Sequence, residues 1–339
     1  MSPLELRVVY PRPSGSKMVL RTEQDWNKDV QPSSTSTDGT VTTFQINATR
    51  PYLYFKPCLI TQDGQLHWSV GSNYLALNTP PKAGRDLYPH FFGSMNGEIT
   101  QKLVAPEADG GRLYRVYLPP GYSENTLKKY PVLYMHDGAN LFFPDEAFAG
   151  VDWEVSDTLE TLDMMNLIDR IIVVGVYAED RMNEYTKPGY EAYGKMLTTG
   201  MKPQVDKSFR TLTGPATTAV MGSSLGGVVS MYLAWQYPDV FGKAACLSST
   251  FGYKDDLLKR IRTEPRRQLQ LYVDTGYPDD NYETGQTMRD TLLERGWKFG
   301  TELLYLAFPH GEHNEANWAM RFHIPMQFFF AKHPTPPST

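Results

Sequence analysis

The chain has 339 residues, enough for one large domain or two unequal ones with a sizeable core. Hydrophobic residues make up 41% and charged residues 21%, ordinary for a globular protein, and the net charge of -5 argues against a nucleic-acid or anionic-membrane surface. No apolar run approaches the roughly 18 residues of a membrane span. The start, Met1-Ser2-Pro3-Leu4-Glu5, lacks the basic-then-apolar build of a secretory signal. A cytoplasmic protein is expected, unless a leader has been removed, with neither nucleic acid nor membrane as partner. Cys58 and Cys246 each sit in an apolar run and read as two buried thiols rather than a disulfide or a metal site.

Residues 1–90 show little helical periodicity. Short strands are predicted over 4–10, 17–22, 41–46, 52–60 and 67–70, separated by Pro, Gly, Ser and Asp clusters such as Pro11-Arg12-Pro13-Ser14-Gly15 and Asp63-Gly64. That spacing suggests a small β-sandwich. Trp26 and Trp68 read either as a platform for stacking sugar rings or as core tryptophans. Pro80-Pro81 marks a linker toward the next domain, expected to span 91–339. Asn47-Ala48-Thr49 fits a glycosylation sequon but carries no weight without a secretory signal.

Beyond residue 98 strands alternate with helices, which implies a largely parallel sheet with helices on both faces. Strands are predicted over 112–118, 131–136, 171–176, 217–220, 243–247, 269–273 and 301–306. Helices are predicted over 153–167, 196–209, 282–295 and 315–331. The tail, Pro334-Thr335-Pro336-Pro337, reads as a disordered end.

One stretch organises this second part. Gly222-Ser223-Ser224-Leu225-Gly226 is a G-x-S-x-G set between the strand at 217–220 and a helix face of Val228, Val229, Tyr232, Leu233 and Trp235. A sharp strand-to-helix turn there lifts Ser224 to the carboxyl edge of the sheet, and the helix aims backbone N–H groups at negative charge forming beside it.

A serine hydroxyl needs a base to take its proton and an acid to hold that base. Asp274-Thr275-Gly276-Tyr277-Pro278-Asp279-Asp280 offers three carboxylates in one loop, and Asp279 is the expected acid, with Asp280 as the fallback and Asp274 too deep in the strand. After the last strand, His313 precedes a helix start and is the expected base, with His310 its competitor. The His310-x-x-His313 pair lacks a third ligand at plausible spacing, so neither metal nor other cofactor is expected. The oxyanion donors are expected to be the amide of Leu225 and that of Gly138 or Ala139, in Met135-His136-Asp137-Gly138-Ala139-Asn140.

These stretches, with Val173-Val174-Gly175-Val176, Arg181-Met182-Asn183-Glu184-Tyr185 and Gly311-Glu312-His313-Asn314-Glu315, resemble the esterase D-like branch of the α/β-hydrolases. That group includes feruloyl and acetylxylan esterases and enterochelin-type esterases. The resemblance covers residues 98–331 and implies an α/β-hydrolase fold, α/β in class, behind the small β-sandwich. The sandwich itself resembles immunoglobulin-like or starch-binding-like modules. By resemblance Ser224, Asp279 and His313 are nucleophile, acid and base of a serine carboxylesterase. Phe142, Trp153, Arg181 and Trp318 are expected to bind an aromatic- or sugar-linked ester, although Arg181 also reads as half of a structural ion pair. An acyltransferase, a siderophore or macrolactone esterase, and a glucan-binding protein on an inactive hydrolase fold remain alternatives.

Overall fold

A computed structural model describes residues 4–48, 50–77, 86–105 and 111–332. Thr49 of the sequon, Pro80-Pro81 and the tail at 334–337 lie outside these described residues. The chain divides into two compact units. The first comprises residues 1–97 with 119–128 and 163–166, so it runs past the boundary expected at residue 90 and takes in two later segments.

Among its described residues the first unit holds nine strands: β1 (Leu4–Val9), β2 (Lys17–Thr22), β3 (Asp25–Val30), β4 (Ser34–Thr35), β5 (Val41–Ile46), β6 (Tyr52–Ile60), β7 (Leu66–Trp68), β8 (Tyr74–Leu77) and β9 (Asp86–Leu87). They form one sheet in the order β4-β5-β1-β9 and another in the order β3-β2-β6-β7, with β8 beside β6. Side chains alternate across a strand, so Leu6, Val8 and Phe44 of the first sheet and Leu20, Phe55 and Leu59 of the second meet in one buried cluster. Strand β3 escaped the sequence reading because Asp-Trp-Asn-Lys-Asp-Val is mostly polar and exposed along an edge. Trp68 is 38% exposed and belongs to neither core cluster, and the Trp26 ring lies against it at 6.3 Å. Arg21 sits 5.1 Å above the Trp68 ring.

The second unit is built on a nine-stranded sheet. Its strands are β10 (Glu98–Ile99), β11 (Leu103–Ala105), β12 (Arg112–Leu118), β13 (Val132–Met135), β14 (Ile172–Val176), β15 (Thr218–Ser223), β16 (Lys243–Leu247), β17 (Gln270–Tyr277) and β18 (Leu303–Pro309). The order is β10-β12-β14-β13-β15-β16-β17-β18, with β11 on β12. From β14 through β18 every pairing is parallel, while β12 is antiparallel to β14. The helices are α1 (Val155–Met164), α2 (Arg181–Glu184), α3 (Gly189–Lys195), α4 (Lys202–Ser208), α5 (Leu225–Gln236), α6 (Leu257–Thr263), α7 (Tyr282–Glu294) and α8 (Glu315–Phe330). A π-turn, Met196–Met201, joins α3 to α4, so the helix predicted over 196–209 begins earlier, at Gly189.

Parallel strands covered on both faces need near-continuous apolar runs, and β13, β14 and β15 are buried at every position. One face packs Leu133, Met135, Ala219 and Met221 against Leu159 of α1 and Phe322 of α8. Helix α5 is buried on nearly every side and covers β15 and β16 without joining that cluster. The sheet with its two layers of helices is an α/β-hydrolase fold. Both cysteines are buried and unpaired. No helix among the described residues is long and apolar enough to cross a membrane.

Candidate active site

The carboxyl ends of parallel strands in such a sheet open onto a common crevice, the usual place for a ligand in an open α/β sheet. Here β13 ends into Asp137, β15 into Ser224, β16 into Ser248, β17 into the loop before Asn281, and β18 into His313.

Ser224 occupies the N-cap of α5 with φ 56° and ψ −120°, a conformation that costs a non-glycine residue about 1–3 kcal/mol and persists only where the surroundings impose it. Its own amide donates to Leu247 O at 2.9 Å. The turn is tight enough that a Cβ on Gly222 would lie 2.7 Å from the Gly226 carbonyl carbon, so nothing larger than glycine fits there. The amide of Leu225 is the first of α5 and therefore has no intrahelical partner.

The expected acid, Asp279, is exposed, and it is the neighbouring Asp280 that reaches the imidazole: His313 Nδ1 lies 2.6 Å from Asp280 Oδ1. Asp280 is 2% exposed. Its second oxygen accepts from Gly276 N at 2.9 Å, from the Ser248 hydroxyl, and at 3.4 Å from Arg321 Nη2. Burial works to raise its pKa, yet the hydrogen bonds from His313 and Ser248 prevail and hold the carboxyl below the ordinary aspartate range. Consecutive residues in a turn point in different directions, and only one of these two carboxylates faces inward.

Behind Asp280 lies a buried polar chain. Ser248 Oγ accepts from Trp318 Nε1 at 3.0 Å and from Arg321 Nη2 at 2.9 Å. Arg321 Nη1 is 3.4 Å from Asp274 Oδ1, and Asp274 also receives Ser248 N at 3.1 Å and Tyr272 Oη at 2.8 Å. Burial pushes the Asp274 carboxyl up to about 6 despite the nearby guanidinium. Asp274 lies fully buried within β17, and its charged partner is Arg321 rather than an imidazole. His310, the competing imidazole, is exposed, with its amide bound to Tyr277 O.

On the opposite lip, Asp137 adopts φ 55° and ψ 50° and starts a short 3-10 turn, Gly138–Asn140. Asn140 N closes that turn on Asp137 O at 2.9 Å. Among the described residues the amides of Gly138, Ala139 and Leu225 form no hydrogen bond, which leaves them available as donors. Arg181 grips Asp137 with two bonds, Nε to Oδ1 at 2.8 Å and Nη2 to Oδ2 at 3.0 Å. Burial opposes charge on Arg181, but the Asp137 carboxylate outweighs it and raises the guanidinium pKa.

These groups border a cleft of about 530 Å³, lined by Asp137, Gly138, Ala139, Asn140, Phe148, Tyr177, Ala178, Arg181, Ser223, Ser224, His313, Glu315 and Trp318. Ser224 and His313 thus face one space, although no hydrogen bond joins them in this conformation. Of the expected substrate-binding residues, Arg181 and Trp318 line the cleft and Phe142 and Trp153 do not. Phe142 and Trp153 are buried in the hydrophobic core with Leu141 and Phe322, because aromatic character alone does not say which way a ring faces. Phe148, Tyr177 and Glu315 were missed. Tyr177 directly follows β14, so the rule that sites gather at strand carboxyl ends points to it; Phe148 carried no such signal. No cluster of three potential metal ligands exists among the described residues.

The chain is 26% identical over 160 residues to the uncharacterized protein YbbA of Bacillus subtilis, a match covering 43% of this chain and 60% of YbbA. It therefore spans about three fifths of that relative's length. Among solved structures, a ferulic acid esterase superposes with a TM-score of 0.59 at 19% identity, covering 69% of this chain and 98% of the other. The enterobactin esterase FES from Shigella flexneri gives a TM-score of 0.57 at 15% identity and covers 95% of this chain and 91% of its own. At such identities these two likenesses speak for the fold. Residues 108–326 match the family described as "Putative esterase", and since that is more than half of the chain, the protein belongs to that family.

Proposed function

We propose that this protein is a serine carboxylesterase in which Ser224 is the nucleophile, His313 the general base and Asp280 the acid that orients it. One observation carries the reading. A serine held at a positive-φ strand-to-helix turn shares a cleft with an imidazole fixed 2.6 Å from a buried carboxylate. Because Asp280 engages Nδ1, Nε2 is left to meet the hydroxyl, and catalytic hydrogen bonds of this kind tighten in the substrate complex.

Ser224 Oγ attacks the ester carbonyl as His313 Nε2 takes its proton. The carbonyl oxygen becomes an oxyanion facing the amides of Leu225 and of Gly138 or Ala139. Collapse of the tetrahedral intermediate breaks the bond to the alcohol, which leaves with the proton from His313. Water then attacks the acyl-enzyme, giving a proton to the same nitrogen, and release of the acid restores Ser224.

Phe148, Tyr177 and Trp318 give the cleft an aromatic wall that suits an aromatic acyl group or a sugar-linked alcohol. The ferulic acid esterase likeness is consistent with an aromatic acid. Of the charged residues lining the cleft, Asp137 and Glu315 are anionic and the single cation, Arg181, is already paired, which weighs against a polyanionic substrate such as a ferric siderophore. The test is turnover of a short p-nitrophenyl ester by the wild type and Ser224→Ala, followed by comparison of feruloyl, acetyl-sugar and macrolactone esters. Ser224→Ala is expected to lower kcat by about 10⁴-fold or more; equal rates for both proteins remove Ser224 from the mechanism.

A further inference from the structure

Asp137 is the residue from which the Gly138–Ala139 amides hang, and it adopts a left-handed conformation (φ 55°), uncommon for residues with a side chain although aspartate reaches it more readily than most. Two groups from one short segment hold it. Tyr185, directly after α2, is fully buried, and its hydroxyl accepts the Asp137 N–H at 3.0 Å. Arg181, at the start of α2, holds both oxygens of the Asp137 side chain.

The anchor itself is closely packed. The Tyr185 ring packs edge-on to Tyr193 at 5.5 Å and against His136 at 5.3 Å, and His136 Nδ1 is 2.9 Å from Tyr193 Oη. On the far side, the loop is pressed against β14 so closely that a Cβ on Gly138 would lie 2.7 Å from the Gly175 carbonyl carbon. Main chain and side chain of Asp137 are therefore both fastened, while the two amides after it remain unbonded and border the cleft.

We infer that Tyr185, seconded by Arg181, is a positioning residue that aims the Gly138 and Ala139 amides at the oxyanion. The inference rests on the serine-esterase reading above, since it assigns a role within that site. Neither side chain needs to touch the reacting atoms: the Tyr185 hydroxyl fixes the backbone, and the backbone holds the negative charge. Such preorganised donors act chiefly on the tetrahedral state, so loosening them slows the chemical step without weakening ground-state binding.

The experiment compares wild type and Tyr185→Phe with p-nitrophenyl acetate as substrate and an aryl trifluoromethyl ketone as a probe that forms a tetrahedral adduct on Ser224. The ring and its packing remain, and only the hydroxyl goes. The expected result is a fall in kcat of about 10-fold, below the 10²–10³ of deleting a donor outright, with KM within twofold. Affinity for the ketone should fall by the same factor as kcat/KM. Arg181→Lys, which keeps the charge but loses the paired grip, should show a smaller fall in the same two quantities and serves if Tyr185→Phe does not fold.

Unchanged kcat and ketone affinity in both variants overturn the inference while leaving the esterase reading intact. A rise in KM with ketone affinity retained also overturns it, because it marks substrate contact instead. A wild type that neither turns over the ester nor binds the ketone removes the serine-esterase reading itself, and this inference with it.

Discussion

The two lips of the cleft are built on opposite plans. On the acid side Asp280 meets four partners, and the chain continues through Ser248 and Arg321 to Asp274 and Tyr272, all buried. On the oxyanion side the groups assigned to the chemistry are bare amides, and the side chains nearby serve to hold the backbone that carries them. A carboxylate that must stay ionised under cover needs its lone pairs filled. Donors that must receive a charge appearing only during reaction need the reverse, an open bond and a fixed direction.

The largest effect is expected from removing the carboxylate on the acid side. Asp280→Asn keeps the size but offers the wrong partner to His313, and kcat is expected to fall by about 10³–10⁴-fold in a p-nitrophenyl ester assay. Asp279→Asn, one residue away and exposed, should stay within twofold of wild type. Reversal of that order assigns the acid to Asp279.

Next in size is Arg321→Met. Arg321 is 4% exposed between Asp274 and Asp280, and taking one partner from a buried ionic group costs about 3–5 kcal/mol. Urea unfolding at neutral pH should register most of that loss. A change under 1 kcal/mol shows that the two aspartates do not depend on the guanidinium.

The oxyanion side has its own acid-sensitive member. Burial, with Arg181 adding to it, lowers the His136 pKa to about 3, well below an unfolded histidine near 6.5. The unfolded chain then binds a proton that the folded protein refuses. Stability from this group is therefore complete above about pH 6.5 and is lost as pH falls toward 3, at up to about 1.4 kcal/mol per pH unit. His136→Phe should lose less stability than wild type between pH 7 and pH 4.5, read as the shift in urea midpoint. Equal losses in both proteins mean that His136 does not set the acid response.

The smallest expected effect is that of Ser248→Ala, which removes one donor from Asp280 while Gly276, His313 and Arg321 remain. A loss of about 1–2 kcal/mol in stability and a fall in kcat of about 10-fold are expected from unfolding and steady-state measurements. A variant indistinguishable from wild type in both shows that the chain behind Asp280 is dispensable.

Much of this was legible in the sequence because it is local. G-x-S-x-G between an apolar run and a helical face specifies a turn, and Gly222, Ser224 and Gly226 stand where that turn needs them. The alternation of apolar runs with amphipathic stretches showed the parallel sheet, and loops after its strands are where His313 and the Gly138–Ala139 amides were sought and lie. Period two revealed β1, β2, β5, β6 and β7, but not the short β4, β8 and β9, nor β3, whose polar composition hides an edge strand. Helices α2 and α6 were missed, and α3 was left out of the helix predicted over 196–209, for a related reason: each is seven residues or shorter and depends on packing rather than on its own periodicity.

The fold class, the strand-to-helix turn at Ser224 and the order of the loops after the strands could be read from residue order, since these depend on neighbours a few residues apart. Only the folded chain put Asp280 rather than Asp279 against His313, sent Phe142 and Trp153 into the core, and tied Asp137 to Arg181 and Tyr185. Each of those outcomes rests on which way one side chain points when distant segments close around it, and the direction is set by packing and hydrogen-bond satisfaction across the sheet edge, not by residue type.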